Sequence, residues 1–436
     1  MIIKNVRVFD GKPLGKSSNI HITSDGLIHA ITETHQLADS ADEHIVDGKG
    51  MMAVPGITDA HKHIWQSAFK GFAADFLLPE YLDRVNTEIG QKITADDLYH
   101  ISLYGYRRAI EHGVTTVFDY AHIINSPEHS DAAIQAANES GINVLFFHAT
   151  STFNRDAYYN DSTQTHLPDI ERIVSSYAGL ERVKIGMGIR GPETARMEVN
   201  KADIELAASL NSPVSMHIGS AYIGTLTRPI EQLFTHGLLS ERLNLVHCST
   251  LSDEEYKMIA DARCLVSMTP EAELQTALGN PAVRLLADHP EARWSVGTDI
   301  PTGNTDSMIF QQRLLLQYYR GFVNKKSLDQ MEFPAVIPYK ANDFFFDSTK
   351  HANIYAGFNV SSKIEPGYKA CLSLYDLKGA EEEQFARNPA FYFLNEASID
   401  TVVANGKLLI DNKKWVKHDM DALDRKIKAI VQRILK

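Results

Sequence analysis

From residue 52 to residue 300 the sequence repeats one beat eight times: a short apolar run, then an amphipathic stretch of helical period. The runs are Met52–Ile64, Thr115–Tyr120, Asn143–Thr150, Val183–Arg190, Pro213–Gly219, Leu243–Thr250, Cys264–Pro270 and Arg293–Ile300. Strands that alternate with helices build parallel sheets covered by helices. Eight such units over about 250 residues match a closed (β/α)8 TIM-type barrel better than an open doubly wound sheet. Strand order cannot be read from a sequence, so the open sheet is the alternative. Local signals support the helices. Thr94-Ala-Asp-Asp97 and Ser252-Asp-Glu-Glu255 resemble capping boxes. Pro127, Pro229 and Pro281 suit first helical positions, and Gly113, Gly141 and Gly179 suit helix ends.

The two ends have another texture. Residues 1–55 read as short strands joined by Asp10-Gly11, Asp25-Gly26 and Asp47-Gly48 turns. Residues 356–436 contain the strand-like Tyr368–Tyr375 and Ser398–Ala404, the hairpin signal Asn405-Gly406, and a terminal helix. Neither end is long enough to bury a sheet face alone, so both are expected to join in one small β-sandwich domain beside a barrel of residues 56–355. Composition removes several function classes. Of the 436 residues, 43 are Lys or Arg and 55 are Asp or Glu, a net charge of −12 with no basic tract, which argues against nucleic acid. No apolar run reaches membrane-spanning length, and Met1–Asp10 alternates like a strand instead of resembling a signal peptide. Three cysteines without a C-x-x-C fit a reducing, cytoplasmic setting.

Histidine, at 18, is the unusual count. His61-Lys62-His63 closes the first run, and residues two apart in a strand share a face. Alone this is weak, because chance gives about 0.7 such pairs in this chain. The remaining set strengthens it. His217 falls at the end of the fifth run, His247 of the sixth and Asp299 of the eighth. In a barrel these strand ends converge on the face where active sites lie. Four imidazoles and a carboxylate form a nitrogen/oxygen ligand set suited to zinc, with iron or manganese as alternatives. A carboxylate within an apolar strand is costly unless paired or metal-bound.

His61-Lys-His63 after Val54-Pro-Gly-Ile-Thr-Asp59, followed by His217, His247 and Asp299, resembles the amidohydrolase superfamily, in its cytosine deaminase/chlorohydrolase-like branch. The likeness spans nearly the whole chain, including Val402–Ile410 as the last hairpin. It implies one divalent metal, held by His61, His63, His217 and Asp299 without a modified lysine. It also implies a small-molecule substrate attacked by activated water, Asp299 as proton shuttle, His247 polarising the reacting group, and a homodimer. Deaminases of this branch typically carry a glutamate three residues after the strand-5 histidine; here that position is Ser220, which cannot do acid–base work near neutral pH.

Weaker candidates surround the set. Glu273, a few residues past strand 7, is the candidate for the missing acid, with Glu271 beside it at the mouth. Arg190 is a candidate carboxylate or carbonyl clamp, or else an ion-pair partner of Glu193 or Glu271. His122 follows strand 2, and the long stretch 65–93, with Trp65, Gln66, Phe69, Phe72, Phe76 and Tyr81, is long enough for a lid. The expected function is metal-dependent hydrolysis of a C–N bond, deaminating or otherwise hydrolysing a small nitrogen heterocycle. Hydrolysis of a cyclic or linear amide, which needs no glutamate acid, is the alternative; a catalytically silent metal-binding protein is the alternative of another class.

Overall fold

The computed structural model describes residues 1–11, 15–34, 44–151, 155–377, 389–417 and 419–436. Eight parallel strands form the barrel: Ile57–Lys62, Val114–Ile124, Asn143–Thr150, Val183–Ile189, Val214–Ile218, Leu243–His247, Leu265–Met268 and Arg293–Val296. Each pairs with its sequence neighbours in order, so the open doubly wound alternative is excluded. The ring is completed where Asp299 bridges Lys62: Asp299 N donates to His61 O at 2.9 Å, and His63 N donates to Asp299 O at 2.9 Å. Gly297 permits this approach, since a Cβ there would lie 2.6 Å from His61 O.

The first apolar run proves to be two strands. Met51–Pro55 belongs to the other sheet and Ile57–Lys62 to the barrel. The break falls at Gly56, where a Cβ would sit 2.1 Å from Thr115 Oγ1. Both capping boxes form: Asp97 N donates to Thr94 Oγ1 at 3.2 Å, and Glu255 N to Ser252 Oγ at 3.3 Å. Pro127 and Pro229 open helices, and Gly141 ends one in the left-handed conformation. Pro281 instead lies two residues ahead of its helix, Val283–Asp288.

Both chain ends build a nine-stranded sheet. The C-terminal strands Leu372–Asp376, Ile399–Ala404, Lys407–Asp411 and Lys414–Trp415 join the N-terminal ones through Met51–Pro55. Its two halves share an apolar cluster that includes Ile3, Val6, Ile20, Leu372 and Leu374. The last helix, Met420–Ile434, departs from the expected grouping and packs against the barrel helix Ala95–Glu111. Its stripe of Leu423, Ile427, Ile430 and Ile434 is buried, and Arg433 pairs with Asp97. Each such side chain contributes roughly 1.5–3 kcal/mol, enough to hold the helix on the barrel. Among the described residues no helix is long and apolar enough to cross a membrane.

Candidate active site

The pleat aims His61 and His63 at one point inside the barrel mouth and turns Lys62 outward, where it meets Thr298 Oγ1 at 2.9 Å and Asp306 Oδ1 at 3.1 Å. His217 arrives from the fifth strand and Asp299 from the turn after the eighth. One ligand atom from each of His61, His63, His217 and Asp299 lies within 4.8 Å of the other three. The separations are 3.1 Å between His61 Nε2 and His217 Nε2, 3.3 Å from His61 Nε2 to Asp299 Oδ1, and 3.2 Å from His63 Nε2 to Asp299 Oδ1. Metal–ligand bonds of about 2.0–2.1 Å in tetrahedral zinc sites put neighbouring ligand atoms about 3.3 Å apart. These three pairs have that spacing and all four ligand atoms lie within 4.8 Å of one another, so the residues fit such an ion.

The ligand chemistry agrees. His63 Nδ1–H donates to Tyr120 O at 2.9 Å, which leaves the Nε2 lone pair facing the cluster. Burial lowers His61 to about 4 and holds His217 well below the ordinary histidine value, so both rings stay neutral and able to ligate. Burial alone would raise Asp299, but its hydrogen bonds with His61 and His63 outweigh that and hold its carboxyl well below the usual range. Asp299 and His247 both sit at positive φ, +63° and +76°. Non-glycine residues occupy this region at a cost of about 1–2 kcal/mol each, and such residues cluster at functional sites.

His247 stands beside the cluster, its ring 5.5 Å from that of His217. Its Nδ1 meets Thr269 Oγ1 at 3.0 Å and Glu273 Oε1 at 3.4 Å, which leaves Nε2 for the cavity. Burial opposes protonation of this ring, yet Glu273 and Asp299 raise its pKa overall. Glu273 is therefore placed differently from the cavity acid the sequence suggested. It is fully buried behind His247 and also accepts from Thr269 N at 2.7 Å, folding back on the start of its own helix.

The cavity in front of the cluster holds about 340 Å³ and is mostly apolar, with Leu78, Leu82, Ile189, Ile223 and Leu278 on its walls. His122 lines it, stacked on His63 at 4.0 Å, and accepts the Trp65 indole N–H at 3.0 Å. Trp65 and Gln66 thus act from behind the wall. The Gln66 amide meets the Tyr81 hydroxyl at 2.5 Å and the Thr302 hydroxyl at 2.9 Å. The 65–93 stretch does cover the mouth, contributing Leu78, Tyr81, Leu82 and Asn86 to the lining. Arg190 reaches the wall, but its guanidinium donates to Tyr158 O, Ser162 Oγ, Gln164 O and Asp203 Oδ2. It ties down the 158–164 segment, and its ion-pair partner is Asp203, neither Glu193 nor Glu271. Glu271 accepts from Thr305 N at 2.9 Å and Gln311 Nε2 at 2.6 Å, bracing the turn after strand 8 away from the cavity.

One acidic residue of the site was not among the sequence candidates. Glu193 lines the cavity and accepts from Gly219 N at 3.1 and 3.2 Å, just past His217. Burial pushes its carboxyl up to about 7 against the lowering effect of the Gly219 and Ser220 amides. In the sequence Glu193, within Ile189-Arg-Gly-Pro-Glu193, stands only as a candidate ion-pair partner of Arg190.

Known proteins resemble this chain along its whole length. The 5-methylthioadenosine/S-adenosylhomocysteine deaminase of Dictyoglomus turgidum is 24% identical over 427 residues, covering 95% of this chain and 94% of its own. A 5'-deoxyadenosine deaminase of Methanococcus vannielii is 26% identical over 398 residues, 87% of this chain and 88% of its own. In structure, the atrazine chlorohydrolase of Arthrobacter aurescens TC1 with zinc superposes with a TM-score of 0.81 at 20% identity, covering 99% of both chains. A zinc-bound adenosine deaminase of Xanthomonas campestris gives 0.80 at 18% identity, covering 99% of this chain and 98% of its own. Residues 52–409 match the profile of the amidohydrolase family, and the chain belongs to that family.

Proposed function

We propose that this chain is a deaminase of a small amino-substituted nitrogen heterocycle, of the aminopurine nucleoside class, holding one zinc ion on His61, His63, His217 and Asp299. The observation that carries the reading is the cluster of three imidazoles and one carboxylate at the base of a mostly apolar cavity. The names of the relatives, deaminases of adenosine derivatives, support the substrate class. When bound, the metal supplies Lewis-acid activation of water at neutral pH. Asp299 takes a proton from the attacking water, since its carboxylate is ionised and faces the same point. His247, steadied from behind by Thr269 and Glu273, offers Nε2 to the group on which charge develops. With Nδ1 filled by the Trp65 indole, neutral His122 carries its proton on Nε2 and serves as a donor to the substrate. The apolar walls exclude water and favour a flat ring.

Ser220, whose buried Oγ has no hydrogen-bond partner, favours a second reading, amide hydrolysis with Asp299 acting alone. The test is a screen of the zinc-loaded protein on 5'-deoxyadenosine, 5'-methylthioadenosine, S-adenosylhomocysteine and a set of cyclic and linear amides. Ammonia release from the nucleosides is the expected result. Amide cleavage without it selects the second reading, and no hydrolysis at all selects a silent metal-binding protein. A cytoplasmic location and a homodimer belong to the same reading, the latter supported by the exposed Met331, Phe333, Val336 and Ile337.

A further inference from the structure

Expelling ammonia from a ring requires protons on the ring nitrogen and on the amine, and neither Ser220 nor the enclosed Glu273 is placed to supply one. Among the described residues that line the cavity, the carboxyl groups are two, Asp299 and Glu193. Asp299 lies within the ligand cluster, and Glu193 stands on the wall. We propose that Glu193 is the acid–base residue that exchanges protons with the heterocycle, delivered from the turn after strand 4 to the place past His217 that Ser220 leaves vacant. The assignment rests on the deaminase reading above.

The chain is shaped to bring it there. Gly191, at φ +76°, turns the backbone sharply after strand 4, and Ala195 N closes that turn on Gly191 O at 3.1 Å. The Glu193 carboxylate then reaches across 26 positions of sequence to Gly219 N. The Glu193 carboxylate thus ends beside the residue that precedes position 220, although its backbone belongs to the turn after strand 4. Glu193 and His247 line the same cavity, in which Asp299 also stands. Its carboxyl, raised to about 7, holds comparable amounts of acid and base near neutrality, as a group that both gives and takes a proton requires.

The steps balance. Water gives one proton to Asp299 as its oxygen bonds to the amino-bearing carbon, and the C=N pair moves to the ring nitrogen, which takes the proton of Glu193. The amino nitrogen next takes the proton from Asp299, the C–N bond breaks, and ammonia leaves with the bonding pair. The new hydroxyl returns its proton to Glu193, giving a ring carbonyl and restoring both carboxyl groups.

The zinc-loaded protein is assayed on 5'-deoxyadenosine, or on whichever nucleoside of the panel it turns over fastest, as wild type, Glu193→Gln and Glu193→Asp. Glu193→Gln keeps the shape and an acceptor for Gly219 N while removing the titrating proton. Its kcat is expected to fall roughly 10²–10⁴-fold with KM little changed and zinc still at one per chain. The wild-type decline in kcat above about pH 7 is expected to vanish in Glu193→Gln and to persist, at a lower rate, in Glu193→Asp. A purely structural Glu193 would lower metal content or raise KM in both variants alike and leave the pH profile in place; that result overturns the proposal. So does a kcat loss below about tenfold in Glu193→Gln. If the wild type releases no ammonia from any nucleoside, the deaminase reading itself has failed; if it does and Glu193→Gln keeps pace, only the role of Glu193 has.

Discussion

Asp299 concentrates three demands in one residue. Its backbone is left-handed, its amide and carbonyl close the barrel on His61 and His63, and its carboxylate touches both of those rings. Substitution by Asn retains the shape and the backbone bonds but removes the proton acceptor. Asp299→Asn is therefore expected to fold normally by circular dichroism and to lose roughly 10²–10⁴-fold in kcat. Turnover near the wild-type rate would remove Asp299 from the mechanism. The same scale shows what a sequence conceals. His61 and His217, on strands, and His63, one residue past its strand, were legible, because alternation fixes which way a strand residue points. Glu193, Arg190 and Glu273 depend on loop turns and on partners 13 to 32 positions away, and no local pattern encodes those meetings.

Within the first strand, Lys62 separates the two histidines and is only 1% exposed. It stands against Asp306, which Lys70 also meets, at 2.7 Å. This pairing anchors the segment after strand 8 to strand 1, next to the bridge that closes the ring. Asp306→Ala would leave the Lys62 ammonium buried without its carboxylate, and removing one partner of such a pair costs about 3–5 kcal/mol. Urea unfolding should register that loss at pH 7. Burial opposes ionisation of Asp306, but Lys62 and Lys70 hold its carboxyl far below the usual range. A depressed folded-state pKa adds stability above the ordinary value of about 3.9 and loses it as pH falls further. The gap between wild type and Asp306→Ala should accordingly narrow below about pH 4; a gap that widens in acid would refute the assignment. The capping box of the helix Ala95–Glu111, also legible in sequence, offers a smaller test. Thr94→Ala should cost about 1 kcal/mol in the same assay, and no change would show that Asp97 and Arg433 hold that helix end without it.

At the scale of the molecule, the eightfold beat of apolar runs and helices specified the barrel, because parallel strands buried on both faces must read as continuous apolar segments. The beat does not mark where one sheet yields to another. The run from Met52 to Ile64 passes from the terminal sheet into the barrel through Gly56, a change set by Thr115, some sixty positions away. Nor does it say where the last helix docks, since an amphipathic stripe declares that a face is buried without naming its partner. The consequence for function is that the terminal sheet runs into the barrel's first strand through Gly56 and the last helix rests on Ala95–Glu111, while the mouth is lined by the 65–93 stretch and by segments after strands 3, 4, 5, 7 and 8.

The central claim, one metal at four named ligands driving C–N hydrolysis, is tested most directly by titrating metal-free protein with zinc while measuring ammonia released from 5'-deoxyadenosine. Activity should rise linearly and level off at one equivalent per chain, and the His61→Ala, His63→Ala double variant should remain flat throughout. A plateau at two equivalents, or a rate independent of added zinc, would contradict the account.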